Sequence, residues 1–474
     1  MKKSTNQLKV AFIHHHLRRG GVSKVISQQI GALDGLVSPL LLTGEPPEKS
    51  PPYAVEVVTG LAYDRDRTDG DGPKEIAGRL ETAMLRHFGT RADILHFHNP
   101  TLGKNRDLLA VIDLLRRNGH RTLLQIHDFA EDGRPADYSP KPYPRDCHYA
   151  VLNAKDYAVL LKAGLKPEGL HIIPNPVATL AGGRSGEADL VLYPVRAIRR
   201  KNIGEAVFLS LFLDERMTVG LTLEPTGSLD ERSLDGWKRF VAERGLRVTF
   251  RLGLENRFED VLARSRCMIT TSIKEGFGYC FLEPWTADRM LFGRLLPEVC
   301  ADFEREGVCF STLYETLDIP LSYFDYGRFV KKWKRCFTAR RERYGLPSDK
   351  RSADERLRSV IRNGSVDFCC LSEDLQREVI DTVYNSDRGF NKLLDINPFL
   401  AQFFSLNEQK ELIARNKKTV RDRYSRARCR TDLCAVYRAV MEREVSHSID
   451  KRVLLERFVT SSADHLLLCD EAYV

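Results

Sequence analysis

The sequence predicts an α/β protein built from two doubly wound domains in series and a helical region after them. Three observations carry this. Short Val-, Ile- and Leu-rich runs alternate with helical patterns; the alternation stops at a Gly/Ser/Ala stretch and restarts; and beyond about residue 310 long, charged helical segments take over. Near-continuous apolar strands between helices indicate parallel sheets covered on both faces. The expected domains are 1–180, 188–310 and a helical elaboration with closing helices over 311–474.

In the first domain the strand-like runs are "LKVAFIH", "AVEVVT", "ADILHFH", "RTLLQIH", "HYAVLN" and "LHIIPNPV". The helical patterns between them are "VSKVISQQIGAL", "KEIAGRLETAMLRHF", "KNRDLLAVIDLLRR" and "NAKDYAVLLKAG". The stretch "TLAGGRSGEAD" (179–189) reads as a linker. Beyond it, "LVLYPV", "MTVGLTL", "RVTFRLG" and "CMITTSI" are strand-like, with "NIGEAVFLSLFLDE", "SLDGWKRFVAERG" and "RFEDVLARSR" as helices. Two such domains place a cleft between the carboxyl ends of two sheets, where open α/β sheets bind ligands.

Composition narrows the class. A chain of 474 residues, 42% hydrophobic and 29% charged, is of ordinary globular make-up. No apolar run approaches the roughly 18 residues of a membrane span, and no secretory leader is read at the N-terminus. Eleven cysteines without a CxxC pair, two of them adjacent in "FCCL", suggest reduced thiols in the cytoplasm. The net charge of +8 concentrates in "RFVKKWKRCFTARRER" (328–343) and "ARNKKTVRDRYSRARCR" (414–430). In the first, Phe329, Trp333 and Phe337 form an apolar stripe beside lysines and arginines. Such a stripe fits a helix packed on a domain, and it also fits weak peripheral association with an anionic membrane. No nucleic-acid partner is expected.

The chemistry gathers at strand ends. Gly20-Gly21 sit between a strand and a helix, where a backbone can approach an anion. His14, His15 and His16 alternate faces and cannot converge on one ion; His96 and His98 share a face but lack a third metal ligand. His127 ends another strand, before a proline-rich loop of a length typical of lids and binding loops. In the second domain Arg196, Arg199, Arg200 and Lys201 crowd a strand end before a helix, a poor arrangement unless an anion joins them. "TTSIKEGFGYCFLEPW" then sets Glu275 and Glu283 around Gly276-Phe277-Gly278, with a helix expected over "YCFLEPWTADRMLF". Two glycine cradles and a basic cluster suggest a diphosphate. Carboxylates beside it suit hydroxyl groups, as on a ribose, and a nucleotide sugar has hydroxyls at both ends of its diphosphate.

These stretches, in this order, resemble the GT-B retaining glycosyltransferases, specifically glycosyltransferase family 4. The resemblance rests on "RGGV", "DILHFHN", "QIHDF", "HIIPNPV", "VRAIRRKN" with its R-x4-K, and "SIKEGFGYCFLE" with its E-x7-E. It covers about residues 8–300 and returns near "VRDRYSRARCRTDLCAVYRAVM". It implies a GT-B fold and transfer of a sugar from a nucleoside-diphosphate sugar to an acceptor the sequence does not identify. Arg196 and Lys201 would neutralise the diphosphate, Gly20 and Gly21 would line it, and Gly276, Phe277 and Gly278 would form the donor loop. Glu283 would hold the ribose, Glu275 the transferred sugar, and His127 would contact that sugar near the reacting carbon. No cofactor and no metal is implied, and retention would follow front-face attack without a protein nucleophile. A GT-B scaffold that binds without catalysis, and a GT-B sugar-nucleotide epimerase, are the alternatives. The family pattern breaks at Pro284 and Trp285 and does not cover 310–410.

Overall fold

A computed structural model describes residues 7–18, 20–180, 183, 188–225, 227–348, 350–461 and 465–469. The chain divides into two compact units: unit 1 is residues 1–177 with 422–462, and unit 2 is residues 178–421 with 463–474. Residues 311–474, set apart above as one helical region, are thus shared between the two. Of the expected linker, residues 181, 182 and 184–187 lie outside the described residues.

Unit 1 holds seven strands among the described residues: β1 (Leu8–His14), β2 (Val37–Thr43), β3 (Ala54–Val57), β4 (Ile94–His98), β5 (Thr122–Gln125), β6 (His148–Val151) and β7 (Leu170–Ile172). All pairs are parallel, in the order β3-β2-β1-β4-β5-β6-β7. The helices α1 (Gly21–Ala32), α2 (Pro73–Phe88), α3 (Leu108–Arg117) and α4 (Ala154–Lys162) lie between strands. Side chains alternate across β1, as a strand requires. Val10 and Phe12 pack with Ile26 and Ile30 of α1 and with Leu433 and Tyr437 of the helix Arg426–Glu442. Ala11 and Ile13 pack on the other face, in the core formed by Leu80 of α2, Val111 of α3 and Phe458 of the helix Lys451–Ser461.

Strand β2 is not among the expected strands; it carries Pro39, which cannot donate to a ladder. In the sheet Pro39 aligns with Val10. Burial of Leu40, Leu41 and Leu42, each at most 1% exposed, outweighs one missing donor.

Unit 2 carries a second parallel sheet of β8 (Leu190–Arg196), β9 (Thr218–Leu223), β10 (Val248–Thr249), β11 (Ser265–Thr270), β12 (Met290–Arg294) and β13 (Leu313–Tyr314), ordered β10-β9-β8-β11-β12-β13. Helices α5 (Ile203–Leu209), α6 (Ser228–Arg244), α7 (Leu252–Glu255) and α8 (Phe258–Arg264) accompany it.

The helix expected over 279–292 does not form. A 3₁₀ turn (Tyr279–Phe281) is followed by the four-residue α9 (Glu283–Thr286), and "MLFGR" is β12. Pro284 lies in the first turn of α9, Asp288 takes a left-handed φ of 56°, and Gly293 (φ 111°) pairs with Thr270. A Cβ at Gly293 would stand 2.1 Å from the Thr270 carbonyl oxygen, so this close pairing admits only glycine. Trp285 is fully buried, and its Nε1–H donates to the Phe281 carbonyl at 2.8 Å. It fills the core.

After α10 (Pro297–Arg305) comes a small antiparallel sheet of β14 (Asp318–Pro320), β15 (Ile361–Arg362) and β16 (Ser365–Asp367), strands of two or three residues that periodicity cannot reveal. Between β14 and β15, α11 (Tyr326–Arg343) buries Phe329, Trp333 and Phe337 at 0%, 1% and 9% exposure. The aromatic stripe is therefore core packing and offers no face to a membrane. Several of its cations are paired: Lys332 with Asp374, Lys334 with Asp354, and Arg328 with Asp374 and Glu378. Among the described residues no helix is long and apolar enough to cross a membrane.

Candidate functional site

The residues singled out at the ends of β8 and β11 come together. These strands are neighbours in the sheet although about 70 residues separate them, so their carboxyl-terminal loops lie side by side. The loops are fastened to each other. Thr271 Oγ1–H donates to the carbonyls of Lys201 and Asn202 at 2.9 and 3.0 Å, Ile273 N–H to Arg200 O at 3.0 Å, and Tyr193 Oη–H to Lys201 O at 2.8 Å. Asn202, at a left-handed φ of 49°, turns the chain from the 3₁₀ turn Arg199–Lys201 into α5.

This geometry places Lys201 Nζ on Glu275 Oε1. Both side chains are largely withdrawn from water, 12% and 9% exposed. Burial alone would raise the Glu275 carboxyl; Lys201 and Arg200 beside it outweigh burial and hold it below the usual carboxylate range. Glu275 is thus an anion at neutral pH and an acceptor of hydrogen bonds only. Cys280 donates its thiol to the same oxygen at 3.7 Å, and its own ionisation is pushed well above the ordinary range by burial, then by Glu275, with Glu283 adding.

The remaining unit 2 residues surround this pair at the same strand ends. Arg196 turns its Nη1–H to the Glu224 carbonyl at 3.3 Å, and Arg199 is held by Asp230 and by the Cys469 carbonyl. Glu283 heads α9. Phe277 is buried, edge-on to Tyr279 and Phe303, and fixes the loop in which Gly278 takes φ 91°. Gly276 opens that loop. Because α5 has seven residues and α9 four, their dipoles are short, and the positive potential here comes from side chains.

In unit 1, a Cβ on Gly21 would meet no heavy atom within 4 Å, and one on Gly20 only the Arg18 carbonyl at 3.7 Å. Among the described residues nothing crowds the position of Gly21. His127 follows β5, its backbone N–H and that of Asp128 both received by Asn99 Oδ1 at 3.1 Å. His127 Nε2 shares a proton with His98 Nδ1 at 3.0 Å. His96 engages both ring nitrogens, with Tyr437 Oη at 2.9 Å and Gln125 Oε1 at 3.1 Å, and so is no metal ligand. Burial lowers His127 to about 4 and His96 to about 3, with His14 and His98 well below the ordinary value. All four are neutral at pH 7. Asn99, Asn202 and Tyr437 escape sequence reading because their partners are distant along the chain.

No family model matches the chain. A mannosylglucosyl-3-phosphoglycerate synthase of Petrotoga mobilis is 25% identical over 438 residues, 81% of this chain and 82% of that protein. Among solved structures, HepE of Anabaena in complex with UDP and glucose superposes with a TM-score of 0.55 at 10% identity, covering 90% of this chain and 99% of that one. A sucrose-phosphate synthase of Thermosynechococcus elongatus gives 0.51 at 13%, covering 91% and 98%. At such identities these likenesses speak to architecture, and with the two parallel sheets they make the fold GT-B: two Rossmann-like halves.

Proposed function

We propose that this GT-B chain is a retaining glycosyltransferase of the family 4 type, moving a sugar from a nucleoside-diphosphate sugar to an acceptor. The observation that carries the reading is the Lys201–Glu275 pair, held at the carboxyl ends of two adjacent strands by hydrogen bonds between their loops. The relative from Petrotoga mobilis, itself a sugar–phosphoglycerate synthase by name, supports it over most of both chains.

In this reading Lys201 and Arg196 neutralise the diphosphate and the charge that grows on it as the glycosidic bond breaks. Such preorganised charge acts where it is most effective, in a site shielded from water. Glu275, ionised, accepts hydrogen bonds from hydroxyls of the transferred sugar, and Glu283 does the same for the ribose. Gly20 and Gly21 leave room for the donor's phosphates. His127 meets the sugar as a neutral imidazole, with Nε2 held by His98 and Nδ1 turned to a sugar hydroxyl. The acceptor attacks from the face the nucleotide leaves, and a phosphate oxygen takes its proton. No cofactor enters. Eleven cysteines, all free, suit a reducing cytoplasm. A glycosylated 3-phosphoglycerate is the first acceptor to try, and UDP the first nucleotide.

The two glutamates test the assignment. Glu283→Gln is expected to weaken UDP and UDP-sugar alike by about tenfold or more, the value of a charge-assisted hydrogen bond of roughly 1.5–3 kcal/mol. Glu275→Gln should leave UDP affinity nearly unchanged and lower turnover of the sugar donor. Titration calorimetry with steady-state kinetics separates the two; identical behaviour would end the assignment of one glutamate to each sugar. Lys201→Ala should lower kcat by about 10²–10³, the loss typical of one preorganised charge-stabilising group.

Metal dependence offers a further check. Turnover by chelator-treated protein is expected not to rise when Mg²⁺ or Mn²⁺ is added, because side-chain cations occupy the role of a divalent ion. Strict dependence on either ion would contradict this.

A further inference from the structure

The adjacent cysteines of "FCCL" find a partner that lies nearly a hundred residues downstream. Cys369 and Cys370 end the 3₁₀ turn Phe368–Cys370 that follows β16, and Asp367 Oδ1 fixes this turn by accepting the Cys369 N–H at 3.2 Å. The segment 465–469, also in unit 2, packs over it, with His465 Nδ1 3.2 Å from the Cys369 carbonyl oxygen. One ring nitrogen of His465 and the sulfurs of Cys369 and Cys370 lie within 4.8 Å of one another. All three residues are buried, at 8%, 4% and 8% exposure.

We propose that Cys369, Cys370 and His465 bind one zinc ion, which fastens the segment 465–469 to the body of unit 2. Two thiolates and an imidazole form a ligand set that zinc favours over the hard cations. Tetrahedral zinc, with Zn–S near 2.3 Å and Zn–N near 2.0–2.1 Å, sets its ligand atoms about 3.3–3.8 Å apart. The three atoms need draw together by only about 1 Å, within the reach of χ rotations. The imidazole is already prepared. A carbonyl oxygen only accepts, so Nδ1 carries the proton and Nε2 keeps its lone pair, the outer arrangement common to metal-bound histidines. Binding releases the two thiol protons to solvent, and their charges balance that of the ion. Water completes the fourth position. Asp367 stays outside the ligand set because its oxygens face Arg294 at 2.7 and 2.8 Å.

The site lies one step from the basic loop. Cys469, four residues after His465, accepts Arg199 Nη1–H on its carbonyl at 2.8 Å, and Arg199 opens the turn that carries Lys201. Arg340 Nη2–H reaches the His465 carbonyl at 3.5 Å. Fastening 465–469 therefore braces the turn Arg199–Lys201 from outside. Zinc binding itself does not depend on the glycosyltransferase reading.

The test uses the full chain, stripped of metal under reducing conditions and then equilibrated with ZnCl₂ or CoCl₂. Plasma mass spectrometry should return one zinc per chain, and cobalt should give a thiolate-to-metal charge-transfer band. Both should vanish in C369S/C370S, while H465A should bind zinc at least about tenfold more weakly and C336S should bind as the wild type. Hydrogen exchange over 465–469 should slow when zinc is added. The wild-type cobalt spectrum and H465A keep the test decisive should the double variant misfold. Zinc bound no better by the wild type than by H465A, or a cobalt spectrum without thiolate charge transfer, would overturn the site. Zinc binding that leaves exchange over 465–469 unchanged would overturn the fastening role.

Discussion

Lowering the pH from 7 to about 5 is expected to unfold unit 1 while unit 2 stays folded. All twelve histidines but His465 lie in unit 1. Burial holds His15 and His127 down to about 4 and His96 to about 3, and pushes His14 and His98 well below the ordinary value. The unfolded chain takes up protons on these groups from about pH 6.5 downward, while the folded chain refuses them until about pH 4. Stability therefore falls with pH across that window and is fully present only above it. Each such histidine contributes about 1.4 kcal/mol per pH unit, so His15, His96 and His127 alone give about 4 kcal/mol per unit near pH 5. That slope consumes an ordinary domain's stability within two units. In unit 2, His465 shifts the other way: burial lowers it, but Cys369 and Asp367 raise it further. Scanning calorimetry at pH 7, 6 and 5.5 should show one transition separating and moving steeply down in temperature. A pH-independent profile would contradict the buried, neutral histidine network.

Arg294→Met is expected to destabilise unit 2 by about 3–5 kcal/mol, the loss typical of stripping one partner from a buried ion pair. Arg294, its side chain 3% exposed, lies between Glu205, at 0%, and Asp367, at 17%. Its Nε and Nη2 donate to the Glu205 carboxylate at 2.8–3.2 Å, and Tyr314 Oη–H and Asn202 Nδ2–H complete that carboxylate at 2.7 and 2.6 Å. Without the guanidinium, two carboxylates remain in the interior with no cation. The paired variant Arg294→Met/Glu205→Leu should lose less than the separate losses together, because it removes one stranded charge. Since Asn202 follows Lys201 directly, the single variant should also lower turnover. Urea unfolding measures the first effect, and a loss below about 1 kcal/mol would show that the triad contributes little.

What the sequence revealed follows from how each element is buried. Strands such as β1, β4, β8 and β11 are buried on both faces over most of their length, so their apolar residues read as nearly continuous runs. β2, which carries Pro39, was missed, and β12 was absorbed into a false helix because "MLFGR" adjoins α9 with no Gly or Pro between them. The stripe Phe329, Trp333 and Phe337 had two physical readings until burial chose packing. At the site, Lys201 and Glu275 could be paired on paper only through the order and spacing of R-x4-K and E-x7-E. Their contact arises because β8 and β11 are adjacent in the sheet, a fact of topology. Tyr437 on His96, and His465 beside Cys369 and Cys370, join residues far apart along the chain. No local periodicity records such contacts.

The central claim is transfer of a sugar from a nucleoside-diphosphate donor, and mass spectrometry of donor consumption tests it most directly. The chain is incubated with a panel of sugar nucleotides, with and without glycosylated 3-phosphoglycerate or a cell extract as acceptor source. One donor should be consumed in step with release of its nucleoside diphosphate, and an acceptor should gain the mass of one sugar residue. Lys201→Ala should reduce both together. Donor isomerised without any acceptor would mark an epimerase, and nucleotide bound with every donor left intact would mark a binding protein; either result would contradict the account.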